Sequence, residues 1–413
     1  MAELATTATR AVTGPRIATE TLRGALLWLI GFAGAFVFIE PSPYEVVGII
    51  TIFLFALTGL SMRPALAPLM LLLVLLNVGY GLAVVQVSDQ PKPVIWVLVS
   101  AFLAATAIFY AAMLGTNTQR RLDLLMRGYL AAALIASLVA IAAYFRLFGG
   151  ASDMFLLYMR ARGTFNDPNV LGAFLLLPGL LVFQRMLAGR LMMRSGLMLL
   201  VMLAALLLSF SRAAWGVFAV SALILMSLTF LTSRSTSERT RIVFVAIVGA
   251  FVIVLFVAAL LSISQVADLF KERATLEQSY DIGHYGRFGR YLLGVELMLE
   301  HPFGIGPLQF TNYAPEDPHN TFLNAFMSGG WLGGLGYLTL CAVTVVASTR
   351  FLFVHTPWQP TYHAVYAAYI GVVGESVIID IDHWRHYFLI LGVLWGLMAV
   401  TRPDRGQPAA FHR

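Results

Sequence analysis

The chain has 413 residues, 59% of them apolar and only 12% charged, with a mean hydropathy of +0.81. So little polar surface excludes a water-soluble globule and marks an all-α polytopic membrane protein. The net charge of +6 and pI near 9.5 come from arginines in loops, so they report topology and not a nucleic-acid footprint.

Apolar runs of about 17 to 25 residues predict twelve spans, near 22–40, 44–61, 65–86, 94–114, 125–147, 168–185, 192–209, 213–232, 242–263, 322–349, 362–380 and 386–401. Arg10, Arg16 and Arg23 ahead of the first run would suit a signal peptide. Glu40 and Pro41 follow it without a small-residue cleavage site, so it reads as an uncleaved span. Lys and Arg in short loops stay on the cytoplasmic side. That rule puts inside the 1–21 tail, the loops with Arg63, Arg120, Arg121, Arg185, Arg190, Arg194, Arg234, Arg239, Arg241 and Arg350, and the 402–413 tail with Arg402, Arg405 and Arg413. On this scheme 17 of the 27 basic residues but only 5 of the 21 acidic ones lie inside. Residues 22–401 form one transmembrane domain, and the lone Cys341 within a span permits no internal disulfide and no cysteine metal site.

Before the sixth span stands Arg162-Gly163-Thr164-Phe165-Asn166-Asp167-Pro168-Asn169, whose Asn166, Asp167 and Asn169 read as turn and N-cap chemistry. Ser209-Phe210-Ser211-Arg212 makes the tight turn between the seventh and eighth spans. A long outward loop, 264–321, separates the ninth and tenth, and a loop of that length carries function or is disordered. Its sequence argues for order. Gly286-Arg287-Phe288-Gly289-Arg290-Tyr291 leads into an amphipathic stretch with Leu292, Leu293, Val295, Met298 and Leu299, a short helix on the membrane surface or packed on the bundle. His301-Pro302-Phe303-Gly304-Ile305-Gly306-Pro307 ends it. Pro318-His319-Asn320-Thr321-Phe322 then sets an ionisable group at the mouth of the tenth span, with Gly330 and Gly333 placed for close helix contact. Asn320 is positioned to cap that helix.

Taken together, Gly286-Arg287, the aromatic Tyr291, the His-Pro-x-Gly-x-Gly run at 301–306 and His319-Asn320 with Gly330 and Gly333 resemble the O-antigen ligase and polymerase family. Tyr291 departs from its pattern, where tryptophan is more typical. The resemblance implies an inner-membrane glycosyltransferase that moves a glycan from undecaprenyl diphosphate to an acceptor hydroxyl at the periplasmic face, without a nucleotide sugar. It leaves ligation to a lipid A core and polymerisation of repeat units of an exopolysaccharide both open, with a preference for the ligase. The expected partners are the lipid-linked glycan donor, lipid A core or a second lipid-linked glycan as acceptor, membrane lipid and envelope polysaccharide-assembly proteins. No cofactor is expected.

A departing diphosphate needs fixed cations, and arginine stays charged and grips phosphate oxygens in pairs. Arg212 and Arg287, which match the family's motif positions, are therefore assigned to the diphosphate, with Arg290 in reserve. His319 is assigned to the acceptor hydroxyl. An imidazole near pKa 6.5 is largely neutral at pH 7, and the positive end of the following helix is expected to keep it so. Asn320, Arg162 and Arg385 complete the substrate-contact candidates. Arg162, Arg212, Arg287, His319 and Arg385 all fall on the outer side of the topology.

No Asp-x-Asp pair suits a metal-bound nucleotide sugar; Asp380-Ile381-Asp382 is the nearest, at the outer end of the eleventh span. His383 and His386 have a metal-like spacing, but the 380–387 cluster reads as an outer polar cap with Trp384 and Tyr387 in an interfacial belt. Glu375 within the eleventh span flags function unless an outer-face arginine pairs with it. A transporter or flippase is the competing class, although no internal repeat relates the two halves and the motifs gather on one face.

Overall fold

Where no water reaches, backbone polar groups must be satisfied within the chain, and this sequence does so almost entirely with helices. The computed structural model describes residues 14–39, 41–190, 192–274 and 286–401. Arg10, Glu40, residues 275–285 of the long loop and the 402–413 tail with its three arginines lie outside the described residues.

The described residues form α1 (Gly14–Ala33), α2 (Pro43–Thr58), α3 (Ala67–Val84), α4 (Pro91–Met113), α5 (Thr118–Tyr144), α6 (Pro168–Phe174), α7 (Leu176–Leu187), α8 (Met192–Leu208), α9 (Arg212–Thr232), α10 (Thr236–Leu261), α11 (Ser264–Ala274), α12 (Arg287–Glu300), α13 (Thr321–Thr349), α14 (Gln359–Glu375) and α15 (Arg385–Val400). A two-residue hairpin, β1 (Leu156–Leu157) with β2 (Arg160–Ala161), lies between α5 and α6. Each of the twelve expected spans coincides with a helix or, for the sixth, with the pair α6–α7. Among the described residues seven segments are long and apolar enough to cross a membrane, and α2, α8 and α15 are shorter apolar helices. The chain is an all-α multi-pass membrane protein.

The sixth span is broken for a chemical reason. Pro178 has no N–H to give the carbonyl of Phe174 four residues earlier, and the buried Tyr129 hydroxyl donates to that carbonyl instead, at 3.0 Å. Small residues set the closest helix contacts, as expected where apolar lipid gives helices no hydrophobic reason to associate. A Cβ on Gly79 of α3 would lie 2.5 Å from the backbone nitrogen of Gly333 in α13, and one on Gly396 of α15 would lie 2.7 Å from the Ala111 carbonyl of α4.

Hydrogen bonds between loops sort the helix ends into two faces that agree with strict up-and-down alternation. On one face Arg23 donates to the Thr58 carbonyl, Arg63 to Gly115, Arg241 to Leu187, and Trp358 to the Thr401 hydroxyl. On the other, Thr164 donates to Ala35, Arg160 to Ser209, Gln86 to Gly304, Tyr144 to Gln265, and Arg385 to Glu45. The second face carries Arg162, Arg212, Arg287, Arg290, His319, Asn320 and Arg385. It also carries α11 and α12 of the long loop.

Candidate active site

The start of α13 organises this face. Asn320 is its N-cap: the side-chain oxygen accepts from the Leu323 N–H at 3.1 Å, while Nδ2 donates to the Val377 carbonyl at 3.0 Å. Thr321 donates its backbone N–H to Ser376 and its hydroxyl to Ile379, and the same hydroxyl accepts from the Ile381 N–H. Asn324 donates to Asp382 at 2.7 Å. The segment between α14 and α15 is thereby stitched to the α13 N-terminus, residue by residue from Ser376 to Asp382.

That stitching sets Asp380 beside His319, with Oδ2 3.5 Å from Nδ1. The imidazole is 44% exposed and the carboxylate 22%. Its second oxygen, Oδ1, is buried without a hydrogen-bond partner. His319 itself takes a left-handed backbone, φ 51°, so the residue steps out of the helix line just before the cap. The expectation that the helix start keeps His319 neutral is corrected here. The hydrogen bond and charge of Asp380 raise its pKa, outweighing burial and the opposing charges of Arg290 and Arg287. A carboxylate at this distance acts on the ring more strongly than a helix end whose N–H groups are capped by Asn320. Asp380 is raised in turn, by burial first and by the charges of Asp382 and Asp317, with His319 pulling the other way.

Beside this pair lies α12, whose first residue is Arg287. The Tyr291 hydroxyl donates to the Val377 carbonyl at 2.9 Å and lies 3.3 Å from the His319 carbonyl, fastening α12 to the same loop. Arg290 is buried, and its Nη1 donates to Glu316 at 2.9 Å and to the Asp317 carbonyl at 2.8 Å. Its side chain holds the approach to His319 in place.

The glycine-rich run after α12 has a specific use. At Gly330 the backbone has φ 62° and ψ −163°, which interrupts α13. The Trp331 N–H donates to the Pro302 carbonyl at 2.9 Å where a continuous helix would use Met327, and the Met327 carbonyl accepts from Ile305 at 2.8 Å. A Cβ on Gly304 would sit 2.6 Å from the Met327 carbonyl and one on Gly330 2.5 Å from the Pro302 carbonyl, so both positions require glycine. Gly333 makes the close helix contact expected of it; Gly330 instead opens the slot into which the 302–305 segment plugs. Gly294 and Leu297 face α13, while Phe288, Leu292, Leu299 and Phe303 turn outward, so α12 packs on the bundle and shows an apolar side as well.

The other sequence candidates sit elsewhere on this face. Arg212 opens α9 behind its N-cap Ser211. That turn is held by Arg160, which donates to the Ser209 carbonyl and to Asn169, both at 2.8 Å, and Trp215 stacks on Phe270 of α11. Val217 and Ser221 of α9 pack against Gly371 of α14, so five residues further along each helix, about 7 Å, Arg212 reaches the level of Ser376. Arg162 donates to the carbonyls of Asn166 and Met154 within its own loop, and Asp167 caps α6. Arg385 directs two N–H groups at Glu45 of α2, at 2.6 and 2.7 Å. His383 bonds the Trp96 carbonyl, whereas His386 is buried against Phe174, so the two rings go to different neighbours. Among the described residues no group of three or more His, Cys, Asp or Glu is arranged to hold a metal. Glu375 is fully buried, and neither carboxylate oxygen has a hydrogen-bond partner among the described residues, so no arginine pairs with it there.

Residues 197–338 match the family model described as O-antigen ligase. Over this segment, about a third of its length, the chain is similar to that family. A comparison with curated proteins found no match. The matched segment runs from within α8 into α13 and contains Arg212, Arg287, Arg290, Tyr291, His319, Asn320, Gly330 and Gly333. Arg162, Asp380 and Arg385 lie outside it. Sequence reasoning placed Asp380 in a polar cap and missed its pairing with His319, since the two are far apart in the chain. The available signal was that both sit at span ends on one face of the topology.

Proposed function

We propose that this protein is a glycosyltransferase of the bacterial inner membrane that moves a glycan from undecaprenyl diphosphate to an acceptor hydroxyl at its periplasmic face. The observation that carries the reading is the His319–Asp380 pair at the mouth of α13, beside the arginine-bearing start of α12. Asp380 holds the Nδ1 proton, which leaves Nε2 to accept one. Nε2 takes the proton of the acceptor hydroxyl as its oxygen bonds to the anomeric carbon of the donor glycan. The bond from that carbon to the diphosphate breaks, and the leaving oxygen keeps the electron pair. Arg287 and Arg212 stabilise the charge that develops there, a contribution of about 10²-fold or more in rate per well-placed donor. On this account the guanidinium groups supply the positive charge without a metal. Arg290, Tyr291 and Asn320 position the pair; Arg162 and Arg385 order the surrounding loops.

Attachment of a finished chain to a lipid A core is preferred over polymerisation of repeat units, a preference that the description of the matched family supports. The test is transfer by the purified protein from undecaprenyl-diphosphate-linked glycans, with lipid A core or a second donor molecule as acceptor. Wild type should be active with one acceptor, and His319→Ala and Arg287→Ala should lose transfer while remaining folded. Full activity in both variants would sink the site assignment. Absence of wild-type transfer to either acceptor would favour transport, with the buried Glu375 as its first candidate.

A further inference from the structure

The face opposite His319 carries a cavity of about 560 Å³ between the α7–α8 turn, the α9–α10 turn and the α13–α14 loop. Arg190, Arg234 and Arg241 line it, together with Gln359 and His355. Arg241 is held by its Nε hydrogen bond to the Leu187 carbonyl and lies against Gly189. The one acidic residue in the lining, Glu238, accepts from the backbone N–H of Arg234 at 3.0 Å. Among the described residues none of the three arginines forms an ion pair. Three guanidinium groups around one cavity at the edge of a low-dielectric bundle call for an anion.

A second cavity, of about 410 Å³, runs down the groove between α9 and α10, lined by Met226, Phe230, Leu231, Val243, Ala246 and Ile247. Buried Ile242 lines both cavities, so the apolar groove opens directly below the basic pocket. Polar groups at a helix end above an apolar groove match the two halves of a membrane lipid.

We infer that this is a binding site for an acidic phospholipid, its phosphate held by Arg190, Arg234 and Arg241 and an acyl chain laid between α9 and α10. A soluble phosphate would use only the upper half. The site is separate from the His319 face and stands whether or not the glycosyl-transfer reading does.

The test is thermal unfolding of the delipidated full-length protein in detergent, titrated with phosphatidylglycerol, with phosphatidylcholine and with glycerol 3-phosphate. Phosphatidylglycerol should raise the midpoint saturably and the other two should not. Arg190 and Arg234 are exposed and their side chains make no hydrogen bond within the described residues, so R190Q/R234Q should fold normally. It should bind phosphatidylglycerol roughly thirtyfold more weakly, at the usual contribution of a basic residue near an anionic lipid surface. Ala246→Trp, which fills the groove, should lose the phospholipid response. An equal response to phosphatidylcholine, or no effect of R190Q/R234Q, would overturn the site. Glycerol 3-phosphate matching phosphatidylglycerol, or an undiminished response in Ala246→Trp, would overturn the lipid as its occupant.

Discussion

Asp380→Asn is the sharpest perturbation of the proposed chemistry. It keeps the shape of the side chain beside His319 and removes its negative charge. The hydrogen bond and charge of Asp380 are what raise the pKa of His319, while Arg290 and Arg287 lower it. With the carboxylate gone, burial and the two arginines favour the neutral ring, opposed by the charge of Asp317. The imidazole becomes a weaker base and loses the partner that fixes its tautomer. Orientation and general-base catalysis together contribute about 10²–10⁴-fold. At 3.5 Å the hydrogen bond is long and the ring is 44% exposed, so the lower end, about 10²-fold, is expected. The assay is the pH dependence of glycan transfer in the reconstituted protein. Wild-type activity should rise with pH as His319 deprotonates, and in Asp380→Asn the rise should move to lower pH with a lower plateau. A reduced plateau with an unmoved inflection would mean that Asp380 serves only the fold, and an unchanged profile would refute the pairing altogether.

Arg287→Ala should lower transfer by about 10²-fold, whereas Arg290→Ala should cost about 2 kcal/mol of stability by leaving the Asp317 carbonyl without its donor. Transfer assays paired with thermal unfolding separate them, and the reverse pattern would exchange their roles. Gly330→Ala forces a Cβ to within 2.5 Å of the Pro302 carbonyl in a backbone region almost closed to other residues. The expected destabilisation is about 3 kcal/mol, and a midpoint within a degree or so of wild type would show that the 302–305 plug is dispensable. The raised pKa values of His319 and Asp380 have the same consequence for folding: each favours protonation in the folded state, so stability falls as pH rises. The His319 share is fully present below the ordinary histidine value of about 6.5 and is lost as pH rises through its raised folded value. The thermal midpoint should therefore drop as pH rises above the ordinary histidine value, and Asp380→Asn should flatten that drop.

The sequence by itself determined the membrane class, the helices and their alternation, because apolar runs bounded by arginine-bearing loops are local signals that lipid and water read directly. It also determined the cap at Asn320, since an Asn one residue before an apolar helix satisfies that helix's own N–H groups. The break at Gly330 was not legible, because a glycine in an apolar run serves close packing or a helix interruption equally well, and only the 302–305 segment decides between them. Arg290 and Arg287 stand three residues apart on one helix, and only the tertiary structure shows that Arg290 is buried with hydrogen bonds to Glu316 and the Asp317 carbonyl. The chemistry of His319 was decided by tertiary structure alone. Its charge depends on Asp380, which reaches it through hydrogen bonds from Thr321, Asn320 and Tyr291 to the 376–381 segment. A charge acts over a few ångströms of space, and a sequence records distance only along the chain.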